Sequence, residues 1–447
     1  MDPKNKLLCR GIVLPEGNGE KVGRLTTCRV SENAFGFMNP KIETARAFTL
    51  RGSKAVKLAV NLQSEGTFWV HEGRKHGVLR FDIGNANANR EMGVPNTVKQ
   101  VLHTTIDNKP VSYTESQGIP TLRESVAGAF GVPIDDVFIV NGVTHALELT
   151  SLFFSNTGGH VVLTKPVYPP WAGILLLHGV YVKMASRKKT GHGKPDLESI
   201  KIESAGNCCG VVLISADNPT GLFLDIRTVE GVARLLQNQM VETNQIKFLI
   251  IDDIYLDQIP REKRIDYFAV SDAYGVPLIY MGGADKSIGT GFHGGHMIVH
   301  VPEILGGARE KILDSVNIIF AMFLGANTLT QHAMATYFDE YEKVRPEMDV
   351  NFGKFQNWSN MFRKSVEEVG LGYYFGAPDL PLYHFLELPP HIHSEDFAYE
   401  LVRQHGIAVT PGAPFGVDGG IRIAMMRDPM APVPIATIIK TLIQEWK

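Results

Sequence analysis

The chain predicts an α/β fold: a mainly parallel sheet sandwiched by helices, joined to a smaller α+β unit built from the N- and C-terminal parts. Three observations carry this. First, between residues 137 and 301 short runs are almost wholly apolar: VFIVNG (137–142), HVVLTKP (160–166), VYVKMA (180–185), GVVLISA (210–216), KFLIIDD (247–253), VPLIYMGG (276–283) and HMIVHV (296–301). Second, helix-like segments such as ALELTSLFF and LDIRTVEGVARLLQNQ separate them. Short strands without in–out alternation are buried on both faces, as in a parallel sheet covered by helices. Third, after about residue 305 the alternation stops, and a long helical pattern over 306–370 leads into a second group of short strands.

Taken in order, residues 1–80 carry no catalytic motif and read as an arm on a partner subunit or as a lid. Within them RAFTLRGSKAVKLAVNL (46–62) reads as strand or helix. GVLRFDIGNANANREMGVP (77–95) reads as a strand ending in a polar loop, where Asn85, Asn87 and Asn89 alternate with small residues. Such a loop supplies turns. At a domain junction it also lines a ligand cleft, which makes Asn87 a candidate substrate contact. PNTVKQVLHTTI has helical spacing. In YTESQGIPTLRESVAGAFGV (113–132), Pro120 stands where a helix starts, and Leu122, Val126 and Phe130 mark its buried face. Beyond the central strands and the 306–370 helical region, LPLYHFLEL (380–388), IAVTPG (407–412) and GGIRIAM (419–425) suggest a small sheet. TIIKTLIQEW closes the chain as an amphipathic helix, with Ile438, Ile439, Leu442 and Ile443 on one face.

Composition removes several function classes. The 447 residues exceed one small domain, and 44% hydrophobic with 20% charged residues is ordinary for a globular protein. A net charge of -3 and the lack of a basic run argue against a nucleic-acid partner. No apolar stretch reaches membrane-spanning length, and MDPKNKLLCRG lacks the apolar core of a signal peptide. Cys9, Cys28, Cys208 and Cys209 are spaced for neither a zinc site nor a disulfide framework, which points to a reducing cytoplasm.

In an open parallel sheet, ligands bind beyond the carboxyl ends of the strands. The polar residues there are Gly142-Val143-Thr144 after VFIVN, Tyr168 after HVVLTKP, Asn218 after GVVLISA, Asp252 and Tyr255 at the end of KFLII, and Lys286 after VPLIYMGGA. Alone, Lys286 in its glycine-rich loop is most simply a solvated lysine. Together the set matches the needs of pyridoxal phosphate. The aldehyde needs a lysine for a Schiff base, and the pyridine nitrogen needs an acid. Asn218 and Tyr255 suit the ring oxygen, and Tyr168 suits stacking on the ring. The backbone N–H groups of Val143 and Thr144 at a helix start suit the phosphate. Asn218 to Asp252 and Asp252 to Lys286 are each about one strand-helix-strand step.

At this point the chain resembles the class I/II aminotransferase family of fold-type I pyridoxal phosphate enzymes. The matching pieces are YTESQGIPTLRE, NGVTHALEL, KPVYPPW, ADNPTG, IDDIYLD, ADKS and PGAPFGVDGGIRIAM, which run from about residue 80 to the C-terminus. The resemblance implies that Lys286 carries the cofactor, Asp252 pairs with the pyridine nitrogen, Asn218 and Tyr255 serve the ring hydroxyl, and Tyr168 stacks. It implies that Arg422 grips the substrate α-carboxylate and that Tyr113 reaches the neighbouring cofactor across a homodimer interface. The implied division is an arm (1–80), part of a small domain (81–110), a large cofactor domain (111–325) and a C-terminal small domain (326–447). The expected reaction passes through a Cα carbanion and ends in transamination to a keto acid. The alternative is a lyase, cyclase or γ-substitution enzyme working from the same carbanion.

The chain departs from the family around its lysine. Asp285 replaces a serine, and Gly294 replaces an arginine that binds the phosphate. Ser287, Thr290, His293 and Thr144 are the candidate replacements. Three literal matches are refused. Gly289–Gly294 fits G-x-G-x-x-G without the strand-then-helix setting of dinucleotide binding. His293 with His296, and His391 with His393, lack further ligands for a metal. Glu115 could contact substrate, but an exposed acid at a helix start is the commoner case.

Overall fold

The computed structural model describes residues 41, 45, 48, 49, 52–84, 93–108, 112–190, 192–430 and 433–446. Strands β1 (Trp69–His71) and β2 (Arg74–His76) form a hairpin, and β3 (Leu79–Arg80) follows. The central sheet uses β4 (Val137–Asn141), β5 (His160–Thr164), β6 (Tyr181–Ala185), β7 (Cys208–Ile214), β8 (Phe248–Asp252), β9 (Leu278–Gly283) and β10 (Gly294–His300). Their order is β4-β10-β9-β8-β7-β5-β6. Only β10 runs against its neighbours. The mainly parallel α/β sheet expected from the apolar runs is therefore present.

Each face of the sheet is covered. Phe248 and Ile250 of β8 enter a core with the Gly142–Phe154, Pro169–Leu177 and Ala308–Ala321 helices. The alternate residues, Leu249 and Ile251, enter a second core with Leu122, Val232, Leu236 and Met334. Strands buried on both sides have no polar residue to spare until they end, so their chemistry-bearing side chains gather at one edge.

The 306–370 region is not one helix but three: Ala308–Ala321, Thr328–Asp339 and Tyr341–Glu368. Leu324 (φ 51) and Gly325 (φ 84) break the first run, and Asn327 caps the second by accepting the Thr330 N–H. The smaller sheet is β11 (Tyr383–Glu387), β14 (Gly420–Ala424) and β13 (Thr410–Pro411). Beside it, β12 (Ile407–Ala408) pairs in parallel with β3. Its core joins Leu79 and Phe81 to Phe397, Ile421, Ile423 and Ile439, so N- and C-terminal segments fold as one body. The Lys54–Ser64 helix is anchored there by Glu395, which accepts from Ser53 Oγ (3.0 Å) and the Ala55 N–H (3.1 Å). Among the described residues no helix is long and apolar enough to cross a membrane.

Candidate active site

Register places Asn141, Asp252, Ile214 and Thr164 at one end of the parallel strands, with Gly294 paired to Asn141. Residues 80–84, leaving β3, pass over that edge and enclose a cavity of about 530 Å³. Val143, Thr144, Tyr168, Asn218, Asp252, Tyr255, Lys286, Thr290, His293 and Arg422, all expected from the sequence, line it together.

Asp252 ends β8 on the cavity floor. Its Oδ2 accepts the Trp171 indole N–H at 3.0 Å, while Oδ1 is buried and has no partner among the described residues. Burial pushes its carboxyl up to about 6, against the pull of the Trp171 and Ile254 N–H groups. A buried acceptor left open is costly unless something meets it. A protonated ring nitrogen is such a group, so the floor of the cavity fits pyridoxal phosphate.

The walls agree with this fit. Lys286 Nζ donates to the Gly84 carbonyl at 2.7 Å and lies at the cavity surface. Arg422, buried on β14, donates to Asn218 Oδ1 (2.9 Å), the Asp82 carbonyl (2.6 Å) and Thr410 Oγ1 (2.9 Å). These acceptors are all neutral, and among the described residues no carboxylate pairs with it. With the Asn218 oxygen taken, the amide nitrogen is the group left for the cavity. The hydroxyls of Tyr255 and Tyr383 meet at 2.8 Å, and burial raises Tyr255 well above the ordinary phenol range. Tyr168, bonded to the Thr144 side chain, is pushed up to about 12 by burial and then by Tyr383 and Asp252. Behind Asn218, Arg187 and Asp217 form a 2.7 Å ion pair, and Asp217 also accepts from Thr220, which holds the Asn-Pro-Thr-Gly turn.

At the other end, Gly142 (φ 75) turns the chain from β4 into a helix whose first residues, including Val143 and Thr144, line the cavity and carry N–H groups without partners inside the helix. Asp285 stands against this turn. Its Oδ1 accepts the Gly294 N–H at 2.8 Å, and its Oδ2 would lie 3.2 Å from a Cβ built on Gly142.

Other expectations fall elsewhere. Ser287, expected at the phosphate, is buried outside the cavity lining, and its hydroxyl donates to Asp257, which also accepts from Tyr337 (2.6 Å) and Tyr341 (2.8 Å). The tight turn over Ala284–Ile288 sends Ser287 away from the side that carries Lys286. Tyr113 is 87% exposed and lies outside this chain's cavity. Asn87 lies outside the described residues. Gly289–Gly294 runs straight into β10, with no helix after it. His293 lines the cavity, whereas His296 is buried among Phe130, Tyr280 and Phe338. His393 pairs with Asp418 at 2.7 Å. Three residues of the site were not read from the sequence: Trp171, although KPVYPPW contains it, Tyr383, and Asp82 with its carbonyl.

The model of the family described as aminotransferase class I and II matches residues 77–433. The chain is similar to a glutamate-pyruvate aminotransferase of Haemophilus influenzae, 22% identical over 364 residues, covering 77% of this chain and 84% of the relative. An aspartate aminotransferase of Sulfolobus acidocaldarius is 24% identical over 357 residues, covering 77% and 83%. Among solved structures, an Escherichia coli aminotransferase superposes with a TM-score of 0.76 at 19% identity, covering 92% of this chain and 96% of that one. An alanine aminotransferase from Pyrococcus furiosus gives 0.76 at 20% identity, covering 93% and 100%.

Proposed function

We propose, from the premise that this chain belongs to the class I and II aminotransferase family, that its cavity transfers the amino group of an α-amino acid through Lys286, Asp252 and Arg422. The protein is a pyridoxal phosphate-dependent enzyme of the aminotransferase type. One observation carries the assignment of roles: Lys286, Asp252 with its Oδ1 unpartnered, and Arg422 without a carboxylate, among the described residues, line a single cavity.

Bound there, the cofactor supplies an aldehyde that condenses with amines and a ring that takes up the electron pair released at Cα. Lys286 would hold the cofactor through its amine and would move the proton at the substrate Cα. Asp252, ionised, keeps the ring nitrogen protonated. Asn218 Nδ2 and the Tyr255 hydroxyl serve the ring oxygen, and Tyr168 covers the ring. Val143 and Thr144 offer N–H groups to the phosphate, with Thr290 and His293 beside them. Arg422 receives the substrate carboxylate, for which its neutral partners are weaker acceptors.

Val56, Val60 and Ile83 line the same cavity and would face the substrate side chain. Arg80 beside them is held by Asp82 in two bonds of 2.7 Å. The names of the relatives suggest alanine, glutamate and aspartate as the amino acids to try first. The reactions named for those relatives favour transamination and add no support to the lyase, cyclase or γ-substitution alternative.

The wider readings are part of the same proposal. A homodimer is supported by an apolar surface around Tyr113, where Met322 and Leu324 are 75% and 67% exposed and Thr328 is bonded to the Ser112 carbonyl. The division into an arm (1–80), part of a small domain (81–110), a large cofactor domain (111–325) and a C-terminal small domain (326–447) is proposed with two limits moved, because Ala55 and Leu79 share the core of the C-terminal body and Met334 shares that of the large sheet. A reducing cytoplasm suits Cys208 and Cys209, buried and free.

The test is optical and chemical. Purified protein loaded with pyridoxal phosphate should be yellow, and each of the three amino acids should be tried for bleaching of that colour with release of one equivalent of keto acid. A protein that stays colourless, or one that releases a side-chain fragment and no keto acid, would overturn the proposal.

A further inference from the structure

The end of the cavity that faces the Gly142 turn holds a carboxylate, and glycines stand at the two β10 positions beside that turn. Asp285 is fixed by the Gly294 N–H and lies against Gly142. At Gly294 itself, a Cβ would meet Met334 Sδ at 2.7 Å and Thr330 at 3.1 Å, because the Thr328–Asp339 helix fills that space. At Gly295 a Cβ would meet the Gly142 backbone at 2.8 Å. At Gly295 a side chain would press on the Gly142 backbone, and at Gly294 one fits only if the Met334 side chain gives way.

The charged groups near Asp285 can be taken element by element. Its own loop brings Lys286 and His293. The turn from β4 into the next helix presents Asn141, Gly142 and Thr144, none of which titrates; His145 there accepts the Asn141 N–H. The Thr328–Asp339 helix presents Thr330 and Met334. The cavity's arginines are engaged elsewhere: Arg80 by Asp82 and Gln63, Arg422 by Asn218, Asp82 and Thr410. Among the described residues, then, an arriving phosphate meets a carboxylate, one histidine and the lysine that bonds to the cofactor.

We propose that Asp285 makes cofactor loading proton-linked: the phosphate and the Asp285 carboxylate share one proton in the loaded protein, so the cofactor is held more weakly as pH rises. The inference rests on the pyridoxal phosphate reading of the cavity. A phosphate dianion beside a buried carboxylate is strongly unfavourable, and one added proton turns the repulsion into a hydrogen bond. The apoprotein is already disposed to this, since burial pushes the Asp285 carboxyl up to about 6. Above about pH 7 the free phosphate ester is a dianion and Asp285 is ionised, so binding must draw the proton from solution.

The experiment measures binding to the apoprotein by equilibrium dialysis between about pH 6 and 8.5, without turnover. Pyridoxine 5′-phosphate, which has the phosphate and no aldehyde, removes Lys286 chemistry from the result. Pyridoxal, which has no phosphate, is the reverse control. Wild type should lose affinity for pyridoxine 5′-phosphate up to tenfold per pH unit more steeply than Asp285→Asn or Asp285→Ser. At pH 8 both variants should bind it at least about tenfold more tightly, and pyridoxal should not distinguish them from wild type. Parallel pH profiles, or weaker binding by both variants, would overturn the role of Asp285 while leaving the cofactor reading intact. If wild type and variants alike fail to bind pyridoxal phosphate at any pH, both fall.

Discussion

The Trp171 indole N–H donates to Asp252 Oδ2 at 3.0 Å and leaves Oδ1 without a partner among the described residues. Trp171 thereby turns Asp252 and also eases its ionisation, because a donor to the charged form lowers the pKa that burial has raised. Asp252 acts when ionised, so the rate should fall as pH drops through its pKa, which burial raises and a positive ring nitrogen would lower. Trp171→Phe removes the donor, and the acid limb of kcat/KM should move up by about one pH unit. Asp252→Asn should cost about a thousandfold or more in the half-reaction. An acid limb that does not move in Trp171→Phe would show that the indole only packs.

Arg422 and Asn218 form a second fixed pair. Arg422→Lys keeps the charge and loses the fork, so the substrate carboxylate is held by one point of contact. The expected result is a rise of about ten- to a hundredfold in KM for the amino acid, with a smaller change in kcat. The same variant frees the Asn218 oxygen, and the amide can then flip. Cofactor affinity should therefore fall by a few-fold, which a carboxylate role alone would not cause. Stopped-flow half-reactions and cofactor dialysis separate the two effects.

The Tyr255–Tyr383 contact makes a further prediction. For Tyr255 to donate its proton into the cavity, Tyr383 must donate to Tyr255. Tyr383→Phe keeps the ring, which lies 4.8 Å from the Arg422 guanidinium, and removes that donor. Cofactor release should quicken by about fivefold, the worth of one hydrogen bond. Tyr255→Phe should quicken it more, since the direct donor is gone. Equal effects would place both hydroxyls at the same distance from the cofactor.

Much of this arrangement was legible because parallel strands concentrate chemistry at their ends. Asn218, Asp252 and Lys286 each follow an apolar run, and the fold brings such positions to one edge whatever the helices between them contain. Tyr383 and Asp82 were not legible in that way. They come from a strand and a loop of the smaller body, and their place above the cavity depends on packing between distant segments, seen in the Phe81–Ala424 and Asp82–Arg422 bonds. Trp171 was within a recognised motif, but its partner could not be known before the Pro169–Leu177 helix was set against β8. Ser287 failed for a local reason: adjacency to Lys286 in sequence does not fix which way a side chain leaves a tight turn. The three-helix break at Leu324–Asn327 was missed because no proline marks it.

The buried acids carry a last prediction, for stability. Asp252 and Asp253 each have a folded carboxyl pushed up to about 6 by burial, from an ordinary value of 3.8. A raised carboxyl binds its proton more tightly in the folded state. The resulting stability is fully present below the unfolded pKa and is lost as pH rises through about 6. A shift of this size is worth at most about 3 kcal/mol per group. The cofactor-free protein should therefore melt higher near pH 5 than near pH 8, apart from titrations elsewhere. Asp252→Asn cannot ionise, so it should flatten part of that slope and stabilise the cofactor-free protein near pH 8. Binding should reverse the sign for Asp252 alone, because a protonated ring nitrogen favours its charged form. The loaded wild type should then exceed the loaded Asp252→Asn variant in melting temperature near pH 8, although the order is opposite without cofactor. Calorimetric melts of the four samples at the two pH values decide it. The same order in both states would mean that Asp252 does not face the ring nitrogen.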